Sequence, residues 1–253
     1  VIVLRIHPAH ACATAPPRDA SVEILGEDAI IVWEPAKRQQ QFIRRADFRS
    51  PQAEDFGFLV PTPSVPEMSE APDALFERLR RHIDPGEVEV TEYEVMWTLC
   101  GGFVLGVRET AMNSSAESGV QVMAEARVAG FDVASLKATD TGALAAWLEQ
   151  HHYNYRPALE TWLDHYAQAG WIINAFKIAR GESEVVGNQA VRMTFTTDRP
   201  FFPYREPADV GARWGRQLRI FLLTPERFDA EPVGSARPAR SEERRVGKEC
   251  ATG

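Results

Sequence analysis

The order of the hydrophobic patterns most constrains what this chain can fold into. Strand-like runs follow one another, and the two clearest helices stand side by side. Alternating strands and helices build parallel sheets, whereas strands in runs build α+β folds. Ala29–Trp33 and Phe56–Val60 are continuously apolar, and Gln41–Phe48 alternates with a mixed face. Val88–Trp97, Val120–Val128, Phe131–Leu136, Trp171–Ile178, Val191–Thr196 and Leu218–Leu223 are further strand-like runs. Gly130 between two of them suggests a hairpin. Pro61, Pro63 and Pro66 are expected to end the strand before them, because proline removes a ladder donor. Helices are expected from Asp73, as N-cap, through Arg81, from Thr141 with Leu144, Trp147 and Leu148 inward, and from Pro157 to Gly170. The expectation is an α+β fold with a largely antiparallel sheet or sheets, a helical hairpin and one additional helix.

The 253 residues suffice for one large domain or two small ones. A net charge of -8 gives no counterion release on a phosphate backbone, so nucleic acid is not an expected partner. The longest apolar stretch, Trp97–Val107, is broken by Gly101, Gly102 and Gly106 and reads as buried strand, too short for a span.

Both ends are set apart from this body. Residues 1–11 read as the stump of a secretory signal, since Ala9-His10-Ala11 places small residues where a signal peptidase reads them and leaves Cys12 first in the mature chain. The alternatives are an ordinary N-terminal strand over Val1–Ile6 and lipidation of Cys12. Arg240–Cys250 is what a common sequencing adapter encodes in frame, so residues 240–253 read as non-native and residues 229–239 as a linker or truncated C-terminal region. The domain is expected over residues 12–228. Discarding Cys250 leaves Cys12 and Cys100, which in an exported chain are candidates for one disulfide; a free buried Cys100 is the alternative.

Thr197–Pro207 is the densest cluster of chemistry. Three prolines stiffen it, aromatic residues give it faces, and Asp198, Arg199, Tyr204, Arg205 and Glu206 give it polar groups. The competing view is a loop pinned to the body by Phe201 and Phe202. Arg44 and Arg45 come next. An inward arginine in a sheet needs a carboxylate, with Asp55 or Asp198 as candidates, and a free pair could bind a carboxylate or phosphate. His151, His152 and His165 lie on or near the two adjacent helices, but a histidine meeting a helix C-terminus explains the first two without metal. Neither remaining cysteine has a zinc-type companion. No nucleophile elbow, zinc-protease motif or phosphate loop is present. No metal or cofactor is expected.

One resemblance covers most of the body. Phe42–Phe48, Asp55–Pro63, Asp73–Phe76, Val128–Phe131, Ala146–Leu148, Tyr155–Pro157, Gly170-Trp171, Ala175–Ile178 and Thr197–Pro207 are similar to domain-of-unknown-function family 2330, a set of exported bacterial proteins. The resemblance spans about Cys12 to Phe228. It implies export and a leader ending at a junction such as His10-Ala11-Cys12. Where many members carry a second cysteine, this chain has Ala13. It implies no reaction.

The expected function is an extracytoplasmic binding or scaffold module of the bacterial envelope, with an envelope ligand or protein as partner. Membrane contact is expected only through a C-terminal anchor or an N-terminal lipid. The alternative is a hydrolase-like enzyme using the 198–206 loop on an envelope polymer or small ligand. Convergence of that loop and Pro61–Pro66 on a deep pocket with two carboxylates would favour the enzyme. A loop lying flat over apolar residues would favour the module.

Overall fold

A computed structural model describes residues 2–6, 13–15, 23–49, 57–83, 116–117, 119–153, 157–178, 190–203, 217–226, 228 and 240–243. Its centre is a long hairpin of β3 (Glu23–Glu34) and β4 (Gln39–Arg49). The strands are joined by a single 3-10 turn, Pro35–Lys37, closed by Arg38 in the left-handed region at φ 49°. On one side of the hairpin lies β12 (Gln217–Leu223), followed by β1 (Ile2–Ile6) and β13 (Arg240–Glu243). On the other side lie β11 (Ala190–Thr196) and β6 (Glu67–Ala71). All pairings in this seven-stranded sheet are antiparallel except β12 with β3.

The second sheet runs β2 (Ala13–Ala15), β5 (Gly57–Thr62), β10 (Ile172–Ile178), β9 (Phe131–Ala138), β8 (Val120–Val128) and β7 (Ala116–Glu117), antiparallel throughout. The described residues also form three α-helices: α1 (Ala74–Ile83), α2 (Thr141–Gln150) and α3 (Pro157–Gln168). The fold is therefore α+β, with α2 and α3 in mutual contact.

Strand alternation sets the layers, because successive side chains point to opposite faces. On the first sheet, Ala29, Ile31, Phe42, Met193 and Ile220 share one core with the second sheet and α2–α3. The intervening residues Ile30, Ile43, Ala190 and Phe221 form a smaller core with Ala71 and Phe76, which carries α1. Helix α1 thus lies outside the first sheet. On the second sheet, Phe58 stacks on Phe176 at 4.7 Å and meets Phe131 edge-on, all facing the first sheet. The opposite face carries Gly57 and Lys177, which meet Tyr153 just beyond α2. Four layers result: α1, the first sheet, the second sheet, and the α2–α3 pair.

The local signals explain most boundaries. Ala129 and Gly130 both have positive φ, 52° and 77°, which a two-residue turn between β8 and β9 requires. The Asp140 carboxylate accepts from the Ala143 amide and caps α2. Gly170, at φ 71°, follows the end of α3. The inward residues expected on α2 and α3 (Leu144, Trp147, Leu148, Leu159, Trp162, Leu163 and Tyr166) are all buried.

Several expectations need correction. β5 does not stop at Pro61 but continues to Thr62. Among the described residues β2 pairs only with Gly57–Leu59, so Pro61 has its ladder partner there on the β10 side, where its missing donor is tolerated. β6 was not anticipated, because its two glutamates and flanking prolines hide a strand. Helix α1 begins directly after Asp73, as expected, but runs two residues beyond Arg81. β1 pairs antiparallel with both β12 and β13. The run Val88–Trp97, the stretch Trp97–Val107, Cys12 and Cys100 lie outside the described residues.

A β-carbon at Gly57 would sit 2.8 Å from the Tyr153 ring and 2.9 Å from the Phe176 carbonyl oxygen. Burial, with a smaller contribution from Asp132, raises the Tyr153 phenol well above its usual value, so the ring stays neutral there. Gly57→Ala should therefore destabilise the fold by about 1–3 kcal/mol, as overpacking does. Urea unfolding checks this, and an unchanged midpoint would contradict the close approach.

Candidate functional site

Arg44 and Arg45 are neighbours on β4 and so point to opposite faces. Arg44 enters the core between the sheets, where its Nε donates to Glu27 Oε1 at 3.2 Å. Both side chains are almost fully enclosed, at 3% and 2% exposure. The Arg44 guanidinium also lies 4.5 Å from the centre of the Phe58 ring on the second sheet.

Arg45 points outward and pairs with Asp28, its register partner on β3, at 3.3 Å. Its guanidinium lies 4.9 Å from the Phe76 ring of α1. Arg219 of β12 reaches the same Asp28 at 3.4 Å, and Arg80 of α1 closes on it as well. Glu77 accepts from Arg80 at 2.7 Å and stands 3.7 Å from Arg45. Three strands and a helix therefore meet at one carboxylate.

Of the two carboxylates expected beside these arginines, Asp198 is placed elsewhere. Glu27 and Asp28 meet Arg44 and Arg45 from the adjacent hairpin strand. Asp198 pairs instead with Arg38, and both are well exposed. Asp55 lies outside the described residues, as do Tyr204, Arg205 and Glu206. Arg199 is exposed, and its backbone meets the Thr197 hydroxyl, which donates to its carbonyl at 3.0 Å.

The start of the 197–207 loop is held by a residue the sequence reading passed over. Gln40 is wholly buried; its Nε2 donates to the Phe201 carbonyl and its Oε1 accepts from the Phe201 amide, both at 2.9 Å. The side chain thus pairs with the loop much as a strand would. Phe202 packs edge-on to Phe42 at 5.7 Å, and Phe201 packs against Trp171 and Phe195. The Thr197 amide extends the ladder by donating to the Arg38 carbonyl. Nearby, a hydrogen bond from Lys37 holds the Glu34 carboxyl below its usual value.

A second buried polar group joins three strands of the second sheet. Asn174 donates to the Val60 carbonyl and the Thr62 hydroxyl, each at 2.9 Å, and accepts from Ser135 at 2.7 Å. Thr62 donates onward to the Ser64 carbonyl, so the chain of bonds is satisfied.

The histidines expected near the helix ends do not converge. The His151 ring stacks on Trp147 at 3.7 Å, and its Nδ1 lies 2.8 Å from the Trp147 carbonyl oxygen. His165 meets Tyr166 on its own helix. Among the described residues, no three histidine, cysteine or acidic side chains are grouped to hold a metal.

A family model described as an uncharacterized protein conserved in bacteria, domain-of-unknown-function family 2330, matches residues 8–242. The chain belongs to this family. No curated protein matches the chain, and no solved structure does. Family 2330 is described as uncharacterized, and the match takes in the three described helices and the described strands other than β1 and the last residue of β13.

Glu27 supplies a signal that could have been found. Two adjacent acids on one strand, Glu27-Asp28, face two adjacent arginines across a hairpin. Glu27→Gln should destabilise the protein by about 3–5 kcal/mol, because it removes the carboxylate charge that faces the buried Arg44. The double variant Glu27→Leu with Arg44→Met should recover most of that loss in chemical denaturation. A Glu27→Gln cost under about 0.5 kcal/mol, as at an ordinary surface position, would remove the pair from its central place.

Proposed function

We propose that this protein is a binding or scaffold module that works outside the cytoplasm, in the bacterial cell envelope. The observation that carries the reading is the pinned loop. Phe201 and Phe202 lie over Phe42, Phe195 and Trp171, and Gln40 fixes the loop backbone. A loop fastened this way presents a rigid surface. Its Asp198 is engaged with Arg38, and the strand arginines are engaged with Glu27 and Asp28. These charges hold elements together, which suits a module whose task is to present a shape.

Sedimentation with purified peptidoglycan sacculi tests the binding reading. The protein is expected to pellet with the sacculi without releasing soluble fragments. Release of fragments, read by mass spectrometry of the supernatant, would favour the hydrolase reading through the 198–206 loop.

Export rests on the Ala9-His10-Ala11 site and on the likeness of this junction to that of exported relatives. Cleavage there would remove β1 and leave β12 as an edge of the first sheet. Protein made from the full gene should begin at Cys12 when its N-terminal peptide is read by mass spectrometry. Recovery of a native chain that retains Ile2–Ile6 would sink this part of the proposal.

A further inference from the structure

We propose that the domain associates head to tail with further copies of itself, α1 of one copy meeting the α2–α3 pair of the next. The proposal deepens the scaffold reading and rests on it, and it follows from an asymmetry of charge between the two outer layers.

Helix α1 carries Arg78, Arg80, Arg81 and His82 against the single acid Glu77. Arg80 and Glu77 are used at the sheet, where they join Asp28 and Arg45. Arg78 and Arg81 are exposed and form no ion pair among the described residues. At the opposite side of the molecule, neither α2 nor α3 contains a lysine or arginine. That layer presents Asp140, Glu149 and Glu160 to solvent. Asp164 adds a fourth acid, held by Thr141 and Gln168. Glu149 and Glu160 likewise form no ion pair among the described residues.

Two sheets stacked about 10 Å apart lie between these layers. The separation exceeds the Debye length, about 8 Å at physiological salt. The two faces therefore do not neutralise one another within one molecule. A second copy supplies the complementary face to each, in a chain with a net charge of -8 that would otherwise repel itself. Unlike faces on opposite sides make a heterologous contact, which propagates and does not close as a two-fold dimer. A face one ten-residue helix wide lies at the small end of protein interfaces. The contact is accordingly weak and shows at high protein concentration. Basic residues in the last turn of α1 also suit its helix dipole, but that accounts for neither the exposure of Arg78 nor the absence of lysine and arginine from α2 and α3.

Sedimentation velocity on the full chain tests this. At low salt the weight-average sedimentation coefficient should climb steadily with concentration, and it should fall back when salt rises from about 50 mM to about 500 mM. Arg78→Glu with Arg81→Glu makes both faces acidic, and Glu149→Lys with Glu160→Lys cancels the negative charge of the α2–α3 face. Each variant alone should weaken association at least about tenfold. An equimolar mixture of the two should restore pairwise association, because the basic α1 of the second variant again meets the acidic α2–α3 face of the first. The positions are exposed, and matching near-ultraviolet circular dichroism confirms folding. A wild type that stays monomeric at low salt would overturn the proposal, as would association indifferent to both reversals or a mixture that fails to recover. None of these outcomes bears on sacculus binding, so the scaffold reading stands or falls separately.

Discussion

The β3–β4 hairpin carries opposite charges on both of its faces, and the rest of the molecule is arranged around that constraint. Arg44 and Glu27 meet on the inner face, and Arg45 and Asp28 on the outer one. A one-residue slip between the strands would turn each arginine toward the wrong layer. Each also reaches the neighbouring layer through an aromatic ring: Arg44 lies over Phe58 of the second sheet and Arg45 over Phe76 of α1. The same two residues thus set the pairing of the central strands and the attachment of what lies above and below them. A buried ion pair adds little net stability over an apolar pair, yet breaking one is costly. That combination suits a device for register.

Other polar groups do comparable work at a distance from the hairpin's centre. Gln40, on the same inner face as Arg44, fastens the loop after β11. Asn174 holds three strands of the second sheet in step. The second sheet ends in very short strands, and β6 at one margin of the first is five residues long between Pro66 and Pro72. Short or proline-flanked margins discourage uncontrolled strand addition. The proposed contact between copies uses the helical outer layers, where charge rather than open backbone sets the partner.

Much of the fold was legible because strands and helices leave periodic traces. The apolar stripe of α2, the start of α3 at Pro157, the turn at Gly130 and the run Ala29–Trp33 each depend on residues close in sequence. β6 was not legible: Glu67, Ser69 and Glu70 give no strand pattern, and pairing with β11 is what makes the segment a strand. Pro61 misled for the same reason. Whether a proline ends a strand depends on whether a neighbour needs its donor, and the length of β2 decides that. Of the candidate site, the sequence showed that Arg44 and Arg45 needed carboxylates and that Phe201 and Phe202 could pin a loop. Asp198 is not the partner of either arginine but of Arg38, because proximity across a hairpin depends on register.

By itself, then, the sequence determined the class of fold, the family, the two adjacent helices and the identity of the charges that had to be compensated. Those follow from local periodicity, capping and the cost of burying an arginine. Only the tertiary structure decided which acid each arginine meets, that Gln40 holds the loop, and that basic α1 and acidic α2–α3 occupy opposite outer layers. Each of these depends on which strands lie side by side and which face each residue takes, and long-range pairing sets both.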